Sequence, residues 1–137
     1  MAALYAMLAE VGLEYGPAFR RVEAAWTGDG TCAVGRLHRR RQRHGTKVHP
    51  ADLDSALQLS VTLREGKLDA IRLPFAVDVA RMRGVMLRHP WAVLETAGTE
   101  ATNVSLTGMV GASQAQLEGF STRAMRGNVG ARPQHLY

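Results

Sequence analysis

The sequence predicts an α+β domain in which an antiparallel sheet wraps around one long helix. Residues 51–65 carry a long, half-apolar helical pattern, and several short β-like runs follow it between residues 70 and 125. These runs mostly succeed one another as hairpins, which is typical of an antiparallel sheet packed on a helix. With 137 residues, the chain is long enough for one domain with its own hydrophobic core.

A short helix and a hairpin are predicted first. Apolar residues at positions 4, 7, 8 and 11 form a helical stripe that Gly12 ends. The turn YGPAF (15–19) leads into the extended segment RRVEAAW. The stretch TGDG (27–30) is typical of a hairpin turn, so TCAVGRLH is expected to be the returning strand.

The long helix is predicted from about Ala51 to Glu65, with Gly66 ending it. At 100° per residue, one side of this helix collects Leu53, Ala56, Leu57, Ser60 and Val61. A neighbouring stripe collects Asp54, Gln58, Thr62 and Glu65. The β-like runs that follow cover residues 70–82, 89–97, 102–110 and 115–125, and residues 127–137 are expected to be an exit segment or linker after a domain of residues 1–126.

Composition restricts the class of protein. The chain is 46% hydrophobic and 21% charged, as soluble globular proteins are, and no run of about 18 apolar residues predicts a membrane span. The N-terminus lacks the basic start of a secretory signal. Cys32 is the single cysteine, which excludes an internal disulfide framework. We therefore expect a cytoplasmic protein.

The net charge of +5 is concentrated in the run RLHRRRQRHGTK, residues 36–47. Its arginines include Arg39, Arg40, Arg41 and Arg43. Such a run suits a solvated loop, an acidic protein partner, an anionic surface or nucleic acid. No aromatic residue lies within it to stack on bases, so nucleic acid is the least favoured partner. A solvated loop is the first interpretation and an acidic partner protein the second.

Two carboxylates lie near the start of the long helix. Asp54 lies one step from the leucine side, where partial burial raises the pKa of a carboxyl group and suits it to deliver a proton. Gln58, one turn later, is placed to hold that carboxyl group or a substrate oxygen. The spacing alone nevertheless favours an ordinary exposed aspartate. Asp52 falls in the first turn, where a carboxylate interacts favourably with free N–H groups, so we expect a capping role.

Histidines and catalytic motifs give no independent assignment. His49 precedes Pro50, which fixes the start of the helix, and a structural hydrogen bond to the backbone is favoured over catalysis for His49. The chain has no G-x-S-x-G, P-loop, G-x-G-x-x-G or H-E-x-x-H pattern. Neither His49 nor His89 has a metal-ligand partner at helical spacing. A metal site and a phosphate cradle are therefore disfavoured.

Five motifs in order resemble one known family. These are LEYGPAFRRV, VHPADLDSALQ, LPFAVDV, GFSTR and the closing HLY. Together they resemble the dehydratase domain of modular polyketide synthases, and more narrowly its C-terminal half, over nearly the whole chain. The combination of Y-G-P-x-F with H-P-x-x-x-D-x-x-x-Q is fairly specific.

The resemblance implies a double hotdog fold, in which each half wraps a curved antiparallel sheet around a long helix and the active site lies between the halves. One half supplies a histidine in an H-x-x-x-G-x-x-x-x-P motif, and the other supplies an aspartate that corresponds to Asp54, with Gln58 one turn later. Other residues expected to line the cleft or bind substrate are Tyr15, Gly16, Pro17, His49, Pro50 and Leu57.

The implied reaction is loss of water from a β-hydroxyacyl thioester carried on an acyl carrier protein. The histidine removes the α-proton and Asp54 protonates the departing hydroxyl group. No metal or diffusible cofactor is implied, because the phosphopantetheine arm of the carrier brings the substrate. None of the five histidines begins the H-x-x-x-G pattern. The histidine-bearing half is therefore expected from a longer chain or a separate partner, and this chain alone is expected to be inactive.

Further expectations concern partners and alternatives. The arginine-rich run, together with Arg123 near the end, is a candidate surface for docking an acidic carrier protein. A homodimer is compatible with the resemblance, but it would bring two aspartates and no catalytic histidine. The same scaffold also suits isomerisation, cyclisation or product templating. Alternatively, the chain is a non-catalytic hotdog module that binds carrier protein or mediates dimerisation.

Overall fold

The structure is a computed structural model that describes residues 2–42, 45–63, 72–83, 87–108 and 113–125. Two α-helices and seven strands are assigned within these ranges. They follow in the order α1 Ala2–Glu10, β1 Val22–Gly28, β2 Cys32–Leu37, α2 Pro50–Gln58, β3 Arg72–Ala76, β4 Val79–Met82, β5 Trp91–Ala97, β6 Ala101–Thr107 and β7 Ser113–Ala124. Short 3₁₀ turns occupy Pro17–Phe19 and Leu59–Leu63. No helix in the described ranges has the length and apolarity that crossing a membrane requires.

All seven strands belong to one antiparallel sheet. Its order is β1-β2-β5-β6-β7-β3, and β4 also pairs with β7. The hairpin predicted around TGDG is confirmed, with Gly28 opposite Cys32 in the β1–β2 register. The sheet curves around α2 and its 3₁₀ extension, so the predicted hotdog arrangement of a sheet around a helix is confirmed.

The central helix differs from the prediction in its end and in its buried face. Its α-helical part stops at Gln58 and continues as 3₁₀ turns to Leu63, while the predicted end at Glu65 and Gly66 lies outside the described residues. The side chains that are fully enclosed are those of Ser55, Ala56 and Leu59, whereas those of Leu53 and Leu57 are only partly buried. The predicted side is thus confirmed in part, since Ala56 and Val61 are buried while Leu53 and Leu57 lie at the edge of the core.

The predicted run 70–82 is wrong as a single strand. It divides into β3 and β4, which pair with different parts of the same long strand β7. Between them, the Asp78 N–H donates to the carbonyl of Glu118. Gly119 has a φ of +67°, and a Cβ there would collide with the Asp78 side chain. A glycine in β7 therefore allows the chain to turn from β3 into β4.

A second glycine allows the sheet to approach the helix. Gly35 of β2 faces Leu59, whose side chain is fully buried, and a Cβ at Gly35 would collide with that leucine. We predict that Gly35→Ala lowers the free energy of unfolding by about 1–3 kcal/mol, because a packed core resists added volume. Chemical denaturation measures the loss. Gly16→Ala is the matched control, since nothing lies within 4 Å of a Cβ there; equal stability of the two variants would contradict the prediction.

Candidate functional site

Asp54 and Gln58 form a hydrogen-bonded pair one helical turn apart on α2. Gln58 Nε2 donates to Asp54 Oδ2 at 2.9 Å and also to the carbonyl oxygen of Phe19 at 2.9 Å. Both amide hydrogens of Gln58 are thereby used, which fixes the orientation of the amide. Because Gln58 occupies Oδ2 of Asp54, a proton on this carboxyl group lies on Oδ1.

Burial raises the pKa of Asp54 above its ordinary value, and the hydrogen bond from Gln58 opposes this shift. The pKa of Tyr15 is raised to about 12, first by burial and then by the negative charge of Asp54 and by Tyr5. Tyr15 therefore remains a protonated donor near neutral pH. A carboxyl group that retains its proton more strongly than usual is suited to general acid catalysis.

A largely apolar pocket surrounds the pair. Tyr15 and Leu57 line it together with Asp54 and Gln58, and β3 contributes Arg72. The remaining walls are Leu8, Val11, Leu13, Ser60, Val61, Leu73, Pro74, Phe120 and Thr122. The Arg72 guanidinium donates to the side chain and the carbonyl of Thr122, each at 2.9 Å, so it is held to β7. The pocket thus presents a partly buried carboxyl group within apolar walls, as ligand sites commonly do.

One polar atom of the pair is unsatisfied. Gln58 Oε1 is buried and has no hydrogen-bond partner among the described residues. A buried acceptor without a donor costs about 1–3 kcal/mol, so such atoms in native proteins call for a specific explanation. Oε1 lacks a partner here because the two hydrogen bonds donated by Nε2 require Oε1 to point away from Asp54.

Four other residues predicted around the cleft lie at the starts of α2 and of the Pro17–Phe19 turn. Nδ1 of His49 accepts from the Ala51 N–H at 3.1 Å, so His49 is the N-cap of α2, and Pro50 is its first residue. The expected structural hydrogen bond of His49 to the backbone is therefore confirmed. Gly16 and Pro17 begin the 3₁₀ turn before β1 and are exposed. None of these four residues lines the pocket that the described residues form, so direct contact with a substrate stays a prediction for them.

The capping role predicted for Asp52 is wrong. Its carboxylate receives a two-point hydrogen bond from Arg40, with Nε to Oδ2 at 2.8 Å and Nη2 to Oδ1 at 2.9 Å. Nε of Arg21 lies 3.6 Å from the same carboxylate. Asp52 is 4% exposed, so this is a buried ion pair rather than a helix cap. The helix places Asp52 toward the basic loop and Asp54 toward the pocket.

The same ion pair corrects the interpretation of the basic run. The side chain of Arg40 is 9% exposed and bound to Asp52, so Arg40 is neither solvated nor free for docking. Arg39 and Arg41 are exposed and line an open cleft that also includes His38, Gln42 and His89. Arg43 lies outside the described residues. Arg123 is exposed, and its guanidinium lies over the ring of Phe75, 3.5 Å from the centroid.

Several residues around the Asp54–Gln58 pair were not predicted from the sequence. Tyr5 and Ser55 are buried next to the segment that carries Phe19, and Arg72 reaches the pocket from β3. Tyr5 lies outside the apolar stripe of α1, and its contacts with Tyr15 and Val22 depend on the fold, so no local signal identified it. No local signal identifies Arg72, because its position depends on the pairing of β3 with β7.

Comparisons with known proteins agree with this fold. The sequence matches the family described as "Polyketide synthase dehydratase N-terminal domain" over residues 1–130. It is 38% identical over 125 residues to the spectinabilin polyketide synthase system protein NorB of Streptomyces orinoci, covering 87% of this chain and 6% of NorB.

Comparison with solved structures also finds polyketide synthase dehydratases. Two inactive mutants of the CurK dehydratase, one with an aspartate replaced by asparagine and one with a histidine replaced by phenylalanine, superpose with TM-scores of 0.79 and 0.77 at 25% and 26% identity. Each comparison covers 90% of this chain and 46% of the CurK chain. The chain thus spans about half of these dehydratase structures and a small part of NorB, and it belongs to the polyketide synthase dehydratase family.

Proposed function

We propose that this chain is the C-terminal half of a dehydratase domain and that Asp54 is its general acid. The observation that carries the proposal is the Asp54–Gln58 pair, in which a partly buried carboxyl group of raised pKa faces an apolar pocket. Such a group can hold a proton until a leaving hydroxyl group requires it.

The assignment to the C-terminal half rests on the residues rather than on the description of the matching family, which names the N-terminal domain. The chain contains H-P-x-x-x-D-x-x-x-Q from His49 to Gln58, and no histidine that begins H-x-x-x-G-x-x-x-x-P. In the CurK dehydratase, an aspartate variant and a histidine variant are both inactive. This chain supplies a candidate for the aspartate, and the histidine would come from the other half.

The proposed reaction forms an α,β-unsaturated thioester from a β-hydroxyacyl thioester. The histidine of the other half removes the α-proton, and the electrons of that C–H bond form the new double bond. The β-carbon–oxygen bond breaks, and the proton on Oδ1 of Asp54 joins the departing oxygen to give water. Gln58 then stabilises the ionised carboxylate through Oδ2. The chain's own contribution is thus to deliver one proton and to stabilise the resulting charge.

The histidine-bearing half is proposed to cover the apolar outer surface of β3 and β4. Leu73, Phe75 and Met82 are 40%, 55% and 53% exposed on these two strands, and exposed apolar side chains in such number are typical of an interaction surface. The pocket reaches β3 through Leu73 and Pro74. A partner on this surface would therefore close the pocket beside Asp54, as a site shared between two halves requires.

The substrate is proposed to arrive on the phosphopantetheine arm of an acyl carrier protein, with no further cofactor, in the cytoplasm. Carrier proteins of this kind would present acidic surfaces to the exposed Arg39 and Arg41. Arg123 is a second exposed candidate, and its guanidinium lies over Phe75 at the surface proposed for the missing half. Arg40 is omitted because its charge is already compensated by Asp52.

Reconstitution tests the proposal. The histidine-bearing half of the CurK dehydratase is joined to this chain, and loss of one water from a carrier-bound β-hydroxyacyl group is followed by mass spectrometry. We expect water loss from the joined protein and none from this chain alone. The matched control carries the histidine-to-phenylalanine change in the donated half. A stably assembled protein without water loss, when intact CurK dehydratase acts on the same substrate, would contradict the assignment.

A further inference from the structure

The Asp54–Gln58 pair depends on a backbone carbonyl outside its own helix. Gln58 Nε2 donates to the carbonyl of Phe19 at 2.9 Å, and Ser55 Oγ lies 3.4 Å from the same oxygen. Phe19 ends the short 3₁₀ turn that connects Tyr15 to β1. If that turn moved away from α2, Gln58 would lose one of its two acceptors and its orientation toward Asp54.

Tyr5 of the N-terminal helix contacts the chain on both sides of this turn, at three residues. Its hydroxyl oxygen accepts from the Val22 N–H at 3.1 Å. Its ring makes an edge contact with Tyr15, with centroids 6.4 Å apart. The Arg20 guanidinium covers the same ring at 5.5 Å, while its Nε donates to the Tyr15 carbonyl at 2.6 Å. Tyr5 is 8% exposed, so its bond with Val22 is shielded from water, whereas Arg20 is exposed.

We propose that Tyr5 is a positioning residue for the site: by anchoring the segment from Tyr15 to Val22, it holds the Phe19 carbonyl that accepts from Gln58, and so keeps Gln58 in the orientation that directs Asp54. The inference rests on the proposed function where it concerns catalysis. The first helix then helps to position the Asp54–Gln58 pair in addition to packing against the core.

The buried surroundings of Tyr5 make its bond to Val22 hard to replace. Tyr5 is 8% exposed and Val22 is 1% exposed, so water cannot readily take the place of the hydroxyl group as the acceptor for the Val22 N–H. Removing the hydroxyl group leaves that N–H unsatisfied, which favours a shift of the segment that carries Phe19.

The test uses Tyr5→Phe, which keeps the ring and removes the hydroxyl group. In the joined protein we expect kcat to fall about tenfold, in line with the loss of roughly one well-formed hydrogen bond from the transition state. KM is expected to change little. Since the hydrogen bond from Gln58 lowers the pKa of Asp54, its loss should raise that pKa further and move the alkaline limb of the kcat profile to higher pH.

A second measurement separates this inference from the proposed function. The carboxyl carbon of Asp54 is titrated by ¹³C NMR in the chain alone, where Tyr5→Phe should raise the pKa of Asp54 even if reconstitution gives no activity. Leu4→Ala is the control, because Leu4 is buried on the same helix and does not itself line the pocket. It should lower stability without changing the titration. A folded Tyr5→Phe protein with an unchanged Asp54 titration and unchanged kcat overturns the inference.

Discussion

Asp54→Asn in the joined dehydratase is expected to reduce the rate of water loss by about 10²- to 10⁴-fold, the contribution that a positioned general acid typically makes. Asparagine has nearly the same shape and can still pair with Gln58 after an amide rotation, but it has no acidic proton for the departing hydroxyl group. Single-turnover kinetics with a carrier-bound β-hydroxyacyl substrate measure the effect on the chemical step. A rate within threefold of the parent protein would remove Asp54 from the mechanism.

The same substitution should not destabilise the fold, and its effect on stability should depend on pH. Burial raises the pKa of Asp54 above 3.8, so the folded protein holds this proton more tightly than the unfolded chain. The resulting stabilisation is complete below pH 3.8 and is lost as pH rises through the folded pKa. Asparagine is neutral throughout. We therefore expect Asp54→Asn to be more stable than the parent at neutral pH, with the difference disappearing in acid.

This pH dependence also provides a control for the activity measurement. A catalytic loss in a variant whose thermal unfolding occurs at or above the parent's temperature cannot be attributed to misfolding. Lower stability of Asp54→Asn at pH 7 would mean that the carboxylate makes a favourable ionic contact instead, and the pKa of Asp54 would then be lowered rather than raised.

The sequence was sufficient for the architecture because local patterns determined most elements. The TGDG turn, the alternating runs and the helix after Pro50 each rest on short-range chemistry, and the strands and the helix occur where these patterns predict them. The β3–β4 division was missed because it depends on a glycine in a distant strand, Gly119, against which Asp78 packs. No residue within 70–82 signals that contact.

The candidate site was only partly predictable. Helical spacing placed Asp54 and Gln58 on one stripe, and their hydrogen bond confirms that placement. Spacing could not distinguish a half-buried aspartate from an exposed one, because burial there depends on α1 and β3. The Phe19 carbonyl and Tyr5 were not predictable either, since the bond from Gln58 to Phe19 spans 39 residues of sequence and the bond from Val22 to Tyr5 spans 17. The resemblance to dehydratases supplied the expected role of Asp54.

The Asp52–Arg40 pair was missed for a related reason. Asp52 occupies a position where a carboxylate ordinarily stabilises the helix N-terminus, and Arg40 occupies a run of arginines that ordinarily remain in water. Only the path of the loop brings them together across 12 residues. His49, which has a ring nitrogen available as an acceptor, takes the cap instead.

Arg40→Met is expected to lower the free energy of unfolding by about 3 kcal/mol, because it leaves the buried Asp52 carboxylate without its two-point partner. Arg21, at 3.6 Å, compensates only in part. For a domain of this size the loss corresponds to a fall in Tm of roughly 10 °C. Differential scanning calorimetry measures it. The effect should persist in about 1 M salt, since buried pairs are screened much less than exposed ones.

Arg39→Met is the matched control, because it removes the neighbouring charge from an exposed position and should change stability by less than about 0.5 kcal/mol. Equal stability of the two variants would show that the ion pair does not contribute. Combining Arg40→Met with Asp52→Leu should recover part of the loss, since the Asp52 carboxylate is then no longer buried without its partner, although Arg21 loses the carboxylate beside it. Comparing Arg40→Met with Arg39→Met also separates the structural role of the basic run from its proposed role in carrier docking. Weaker carrier binding in Arg40→Met would reflect a loosened loop, whereas weaker binding in a fully stable Arg39→Met would identify a docking charge.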